Sequence, residues 1–229
     1  LAEQRGLKSA ALDAWQTLAI VRQTQGALSG ALDARRAAAA AARSAGLKER
    51  EAMLTTNLGF ALTTIGARQE ARAALEAGLA LADAIGSAGA VRHAQMNLLG
   101  WAATFGNDRG LEAHLAETRA DADAAATGVW AAPDRSNLGA LFYRGWELLR
   151  AKNDSVCARS RGLLKFCAET YRATGNNDVL PVALGVWAEA ERRCGNRARA
   201  LEIASEAADL LEGGAPSLRA RYSWVSSRV

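Results

Sequence analysis

Residues 57–66 read NLGFALTTIG, and forty positions later residues 97–106 read NLLGWAATFG. The runs Asn57-Leu58-Gly59 and Asn97-Leu98-Leu99-Gly100 each begin nine residues before a turn glycine, Gly66 and Gly106, and Gly26 stands forty residues before Gly66. Two landmarks that agree on one interval mark an internal repeat. Around each glycine the pattern reads helix, tight turn, helix, which predicts three hairpins over 8–24 and 27–45, 48–64 and 68–85, 88–104 and 108–126. Gly46, Gly66 and Gly86 offer a left-handed helix stop, and Asp108 is placed to cap the last of these helices.

Composition points the same way. Of 229 residues 54 are alanine, while proline contributes 3 and aromatic residues 6%. Alanine is the best helix former and a poor filler of sheet faces, so an all-α chain is expected and a sandwich or barrel is excluded. A single methyl buries little area, so this chain builds thin seams between helices more readily than one thick core.

Beyond Gly128 the spacing loosens. The stretch 129–134 (VWAAPD) is a longer connection, and Pro133 suits the first turn of the next helix. Helices are expected over 135–151 and 155–174, with Asp154 as a cap. Asn137-Leu138-Gly139 keeps the forty-residue interval from Asn97, yet the turn arrives seven residues late, through a first helix two turns longer or through an insertion. A fifth pair is expected over 179–193 and 197–212, capped by Asn177 or Asp178 ahead of Pro181. A helix from Ser217 to about Ser227 would begin a sixth unit without its partner. The repeats are therefore 8–46, 47–86, 87–128, 133–175 and 177–213, with a partial one at 216–229. The array is expected to be a segment of a larger protein, and a homodimer through its uncovered last helix is a further expectation.

In the second unit, small or apolar residues fall at Leu58, Gly59, Leu62, Gly66, Ala71, Leu75, Gly78 and Leu81. This pattern resembles the tetratricopeptide repeat. The resemblance implies that Leu58-Gly59 is the close-contact pair, Gly66 the turn, Ala71 the contact inside the hairpin, and Leu75 and Gly78 the packing toward the next repeat. It continues on Leu18-Ala19, Gly26, Ala31 and Ala38, on Leu98-Leu99, Gly106, Leu111 and Leu115, and on Trp187-Ala188, Gly195, Ala200, Ala204 and Ala207. Arg35 and Thr118 depart from it, standing where a large apolar residue and an alanine are usual. The forty-residue period is similar to that of MalT-like activators and of the repeat tails of bacterial Ser/Thr kinases. The implied fold is a right-handed α-α superhelix of about five hairpins plus a partial sixth.

By the same resemblance the first helix of each pair lines an inner groove. The groove positions are Gln16, Ile20 and Gln23; Met53, Thr56, Phe60 and Thr63; His93, Met96 and Thr104; and Glu189, Arg192 and Arg193. The set is mixed and weakly charged, with none of the four lysines on it, and suits an extended or helical protein segment with apolar anchors. The function implied is a noncatalytic protein-interaction scaffold within a larger bacterial signalling or regulatory protein. The alternative is a module that senses a small metabolite, sugar or peptide signal, with polar residues converging near His93 and Thr104.

Catalytic signatures are missing. No P-loop, GxSxG, HExxH or dinucleotide fingerprint occurs, so neither an enzyme nor a cofactor is expected. His93 and His114, the two histidines, have no clustered cysteine or acid at ligand spacing. The net charge of +4 comes mostly from a tail with Arg219, Arg221 and Arg228 and no acid, and the near-neutral body argues against a nucleic-acid partner. No apolar run is long enough for a membrane span. Cys157, Cys167 and Cys194 form an odd set without CxxC spacing, read as buried thiols in a cytoplasmic protein. The six tryptophans, Trp15, Trp101, Trp130, Trp146, Trp187 and Trp224, are expected to be structural bulk, Trp130 excepted as a candidate anchor on the irregular connection.

Overall fold

The computed structural model describes residues 2–106, 115–116, 119–120, 123, 135–149, 154–177 and 179–213, and every regular element among them is helical. In chain order these are α1 (Ala2–Thr24), α2 (Leu28–Ser44), α3 (Lys48–Thr64), α4 (Arg68–Ala84), α5 (Ala88–Phe105), α6 (Arg135–Leu148), α7 (Asp154–Ala173), α8 (Leu180–Arg193) and α9 (Arg197–Glu212). No helix among the described residues is long and apolar enough to cross a membrane. The helix expected over 108–126 lies mostly outside the described residues, and 129–134 and 216–229 lie wholly outside them. The chain divides into two compact units, Leu1–Trp101 and Ala102–Val229.

The connectors explain the spacing. Gly26, Gly46, Gly66, Gly86 and Gly106 all have positive φ and follow one another at intervals of twenty, as do Gly175 and Gly195. The forty-residue repeat is thus two helix-plus-connector steps. At Gly66, with φ of 84°, the chain ends α3 by donating Gly66 N–H to Thr63 O (3.1 Å) and Ala67 N–H to Leu62 O (3.0 Å). This left-handed stop is open to glycine without a Cβ penalty. Arg68 N–H then turns back to Gly66 O at 2.8 Å, and Ala67, at φ −75° and ψ 70°, starts α4 with no side-chain cap. The N-cap positions Ala27, Leu47, Val179 and Asn196 likewise make no side-chain cap bond. Asn177 is therefore not the cap of α8, although Pro181 does occupy its first turn.

In the first unit α1 packs on α2, α2 on α3 and α3 on α4. The α3–α4 seam is narrow because two glycines face it. A Cβ on Gly59 would come within 2.6 Å of Leu75 Cγ, and one on Gly78 would collide with Thr56 Oγ1 and lie 3.0 Å from the Thr56 backbone nitrogen. Leu75 and Gly78 thus pack inside their own hairpin, not toward the next repeat as the resemblance implied. Leu75 is fully buried, worth about 2–3 kcal/mol against exposure. Leu81 does face onward, joining Ala52, Ala82, Ala90 and Val91. Arg35, unexpected at an apolar position, is half-buried and donates to Gln23 Oε1 across the α1–α2 pair at 2.6 Å.

Alternate helices are also tied. Arg50 of α3 meets Asp13 of α1 at 2.8 Å, and Arg36 of α2 meets Glu70 of α4 at 3.6 Å. Trp101 Nε1 of α5 donates to Arg68 O of the preceding helix, α4, at 3.0 Å. Between α2 and α3, buried Glu51 accepts from Arg43 at 2.7 Å, with Lys48 at 3.5 Å.

In the second unit α6 packs on α7, α7 on α8 and α8 on α9, around a core that includes Leu141, Leu164, Cys167, Leu184, Trp187, Ile203 and Ala207. Eleven residues between Leu180 and Glu191 are buried, so α8 is enclosed on nearly all sides. Gly145 is the close-approach glycine of the α6–α7 pair, 2.9 Å from Leu164 Cγ for an added Cβ. The forty-residue interval points to Gly139 instead. The described α6 ends at Leu148, and the residues ahead of Arg135, where a longer first helix or an insertion would lie, are outside the described ones.

The cysteine reading is overturned. Cys157 and Cys194 form a disulfide, their Cα atoms 5.9 Å apart, and only Cys167 is a buried thiol. The pair stands 37 positions apart in sequence, and the α7–α8 turn brings the two together, which spacing alone does not reveal. Trp101 and Trp187 are buried bulk as expected, and Trp146 packs partly buried on the core. Trp15 is instead 39% exposed, while Trp130 and Trp224 lie outside the described residues.

Candidate functional surface

Side chains four and then three residues apart share one stripe of a helix. On α3 that stripe carries Met53, Asn57 and Phe60. On α5 the positions forty residues later are His93, Asn97 and Gly100, with Met96 beside them. The two stripes meet at one polar contact. His93 Nε2 lies 2.9 Å from Asn57 Oδ1, a hydrogen bond that the Nε2–H tautomer makes. Asn97 Nδ2 donates to the carbonyl of His93 at 2.8 Å and is buried, pinning the turn of α5 that carries the imidazole. Burial lowers the pKa of His93 below its ordinary value, so the ring is neutral at pH 7.

Beside this polar pair lie soft apolar groups. Met53 is 42% exposed, and Phe60 and Met96 are half-buried. Thr56 and Thr63, expected on the same surface, belong to the hairpin interior: Thr56 sits in the seam against Gly78, and Thr63 Oγ1 donates to Gly59 O at 2.9 Å. Thr104 lies half-buried in the last turn of α5. On α1, Ile20 is 58% exposed, Gln16 is half-buried, and Gln23 is occupied by Arg35. Asn57 is not among the expected groove positions, although its recurrence as Asn97 is visible in the sequence.

The second unit brings its expected residues together differently. Glu189 accepts from Arg192 at 2.7 Å and from Arg193. Burial opposes its charge, but these two guanidiniums outweigh burial and hold its pKa below the usual carboxylate range. Arg193 also donates to Leu149 O at 2.7 Å, so it is a structural tie as well as a surface charge. A second cluster escaped the sequence reading. Arg144 bridges Asp123 (3.0 Å) and Glu147 (2.7 Å), Glu147 also pairs with Arg119, and Arg159 reaches Asp123 at 2.9 Å. Burial works against the charge on Arg144, yet the two carboxylates keep its pKa above the ordinary arginine value. Its one readable signal was the i, i+3 spacing of Arg144 and Glu147. His114 lies outside the described residues, and no group of three His, Cys, Asp or Glu side chains converges among those described.

No family model matches the chain, and no curated protein or solved structure does so either.

Proposed function

We propose that this chain is a noncatalytic protein-interaction scaffold, a tetratricopeptide-like solenoid whose first helices hold an extended or helical protein segment. The observation that carries the reading is the α3–α5 surface, where exposed Met53 and half-buried Phe60 and Met96 flank the Asn57–His93 pair. Methionine adapts to irregular apolar anchors, and a carboxamide offers the donor and acceptor that a peptide group needs. Positive-φ glycines at twenty-residue intervals and ties between alternate helices, α1 to α3, α2 to α4, α6 to α8 and α7 to α9, support the solenoid. A right-handed superhelix of five hairpins and a partial sixth is the form that this stacking would take.

Selection of a random peptide library on the whole chain tests the reading, with binding of the recovered peptides remeasured on Met53→Glu and on Phe60→Ala/Met96→Ala. Met53→Glu alters an exposed side chain, so it should leave the fold intact while weakening binding about tenfold or more, the 1–2 kcal/mol of a lost apolar anchor. Recovered peptides that bind all three proteins equally would refute this surface, and failure to recover any peptide would refute the scaffold.

A further inference from the structure

We propose that the Cys157–Cys194 disulfide is a redox-operated clamp on the C-terminal end of α8, opened by a dithiol reductant without unfolding the helices it joins. Cys157 lies in the first turn of α7, and Cys194 is the C-cap residue of α8, immediately before Gly195 with its φ of 86°. The bond therefore closes the end of the α7–α8 pair opposite the connector at 174–179. Both residues are half-buried, outside the fully enclosed core.

The rest of the pair does not need the bond. Leu163, Leu164, Ala168, Tyr171, Leu184 and Trp187 keep α7 and α8 packed in one apolar core. Past Ala190, which that core still includes, the remaining ties at the clamped end are polar: Arg193 to Leu149 O, Arg161 to Glu191 at 3.7 Å, and the contacts of Glu191 with Trp187 and Asn196. The ties of Arg193 and Arg161 each have one partner in water and contribute little, so the helix end beyond the buried Trp187–Glu191 bond is the segment that opens locally once a covalent tie is removed. Reduction should thus loosen the last turn of α8 and the Gly195 connector, the step that leads into α9.

Internal exchange is barred. Cys167, the third cysteine, is fully buried with its Sγ against Leu138 O, and burial raises its thiol pKa far above neutral. It forms no thiolate to attack the bond. Opening takes an external dithiol: one thiolate attacks a sulfur of the pair to give a mixed disulfide, and the second displaces the remaining cysteine. The reductant becomes a disulfide, and its two electrons and two protons end on Cys157 and Cys194. A two-electron oxidant such as a glutathione disulfide reverses the step.

Hydrogen exchange on the whole chain, oxidised and after dithiothreitol, tests the clamp, together with peptide mapping under non-reducing conditions. Mapping should recover Cys157 and Cys194 in one linked peptide pair, and Cys167 should react with an alkylating agent only after denaturation. Reduction should speed exchange in residues 190–197 about tenfold or more, reversibly, with the middle of α8 and all of α4 unchanged. Cys157→Ser/Cys194→Ser should exchange like the reduced protein under both conditions. An unlinked pair, equal exchange at 190–197 before and after reduction, or loss of protection throughout α7, α8 and α9 would overturn the proposal, the last by showing a staple on which the whole fold depends.

Discussion

Replacing Gly78 with alanine sets two physical effects against each other. In an exposed helix interior the change is favourable by about 1 kcal/mol, because alanine loses less backbone freedom. At Gly78 the added methyl would meet Thr56 Oγ1, the Thr56 backbone nitrogen at 3.0 Å and the Ala52 carbonyl oxygen at 3.2 Å. Two of the three obstacles are main-chain atoms of α3, which no rotamer change moves, so the helices must separate by a few tenths of an ångström. That motion also loosens Leu75 against Gly59 in the same seam. Overpacking of this kind costs about 1–3 kcal/mol and outweighs the propensity gain. Gly78→Ala should therefore lower the urea midpoint, with a net loss of about 1–2 kcal/mol. Gly89→Ala is the control, since nothing lies within 4 Å of a methyl added there on α5, and it should leave stability unchanged or raise it by up to about 1 kcal/mol. Thr56→Ala/Gly78→Ala should recover only part of the loss, because the backbone contacts persist. A Gly78→Ala midpoint at or above wild type, with an unchanged denaturant slope, would refute the close crossing of α3 and α4.

In the second unit, Gly145→Ala should cost about 1 kcal/mol or more because its methyl meets buried Leu164, whereas Gly162→Ala, with open space around it, should stabilise by about 0.5–1 kcal/mol; paired urea titrations check the opposite signs. Leu75→Ala should cost about 2–5 kcal/mol, and Leu201→Ala, 63% exposed, should lie within about 0.5 kcal/mol of wild type in the same assay. His93 is held neutral by burial, with a folded pKa below 6.5, so the unfolded chain takes up its proton first as the pH falls. Stability is undiminished above about pH 6.5 and declines below it until the folded pKa is passed; His93→Gln should remove that decline, and midpoints measured from pH 7.5 to 5 should converge between the two proteins.

The helix boundaries were legible in the sequence because one kind of residue marks them. A connector needing positive φ selects glycine, and a repeated helix length spaces those glycines evenly, so the observed ends of α2 to α5 fall within one residue of expectation. The facing of individual positions was harder to read. Thr56 and Phe60 are one turn apart on α3, yet Thr56 is buried against Gly78 while Phe60 lies nearer the surface; periodicity gives the register without the azimuth at which the next helix packs. The same limit assigned Leu75 and Gly78 to the wrong neighbour and overlooked Gly145. Cys157 and Cys194 meet because α7 and α8 run back on one another through a short connector, a tertiary fact with no spacing motif. Asn57 was missed as a surface group because its recurrence had already been absorbed as a register mark.

The α3–α5 surface is tested most directly by the backbone amide, side-chain amide and imidazole NMR shifts of the whole chain on adding a peptide recovered by selection. The account predicts that the largest changes fall at Met53, Asn57, Phe60, His93 and Met96, with the Asn57 carboxamide and the His93 ring among them. Saturable shifts confined to other surfaces, such as the exposed faces of α7 and α9, would contradict it.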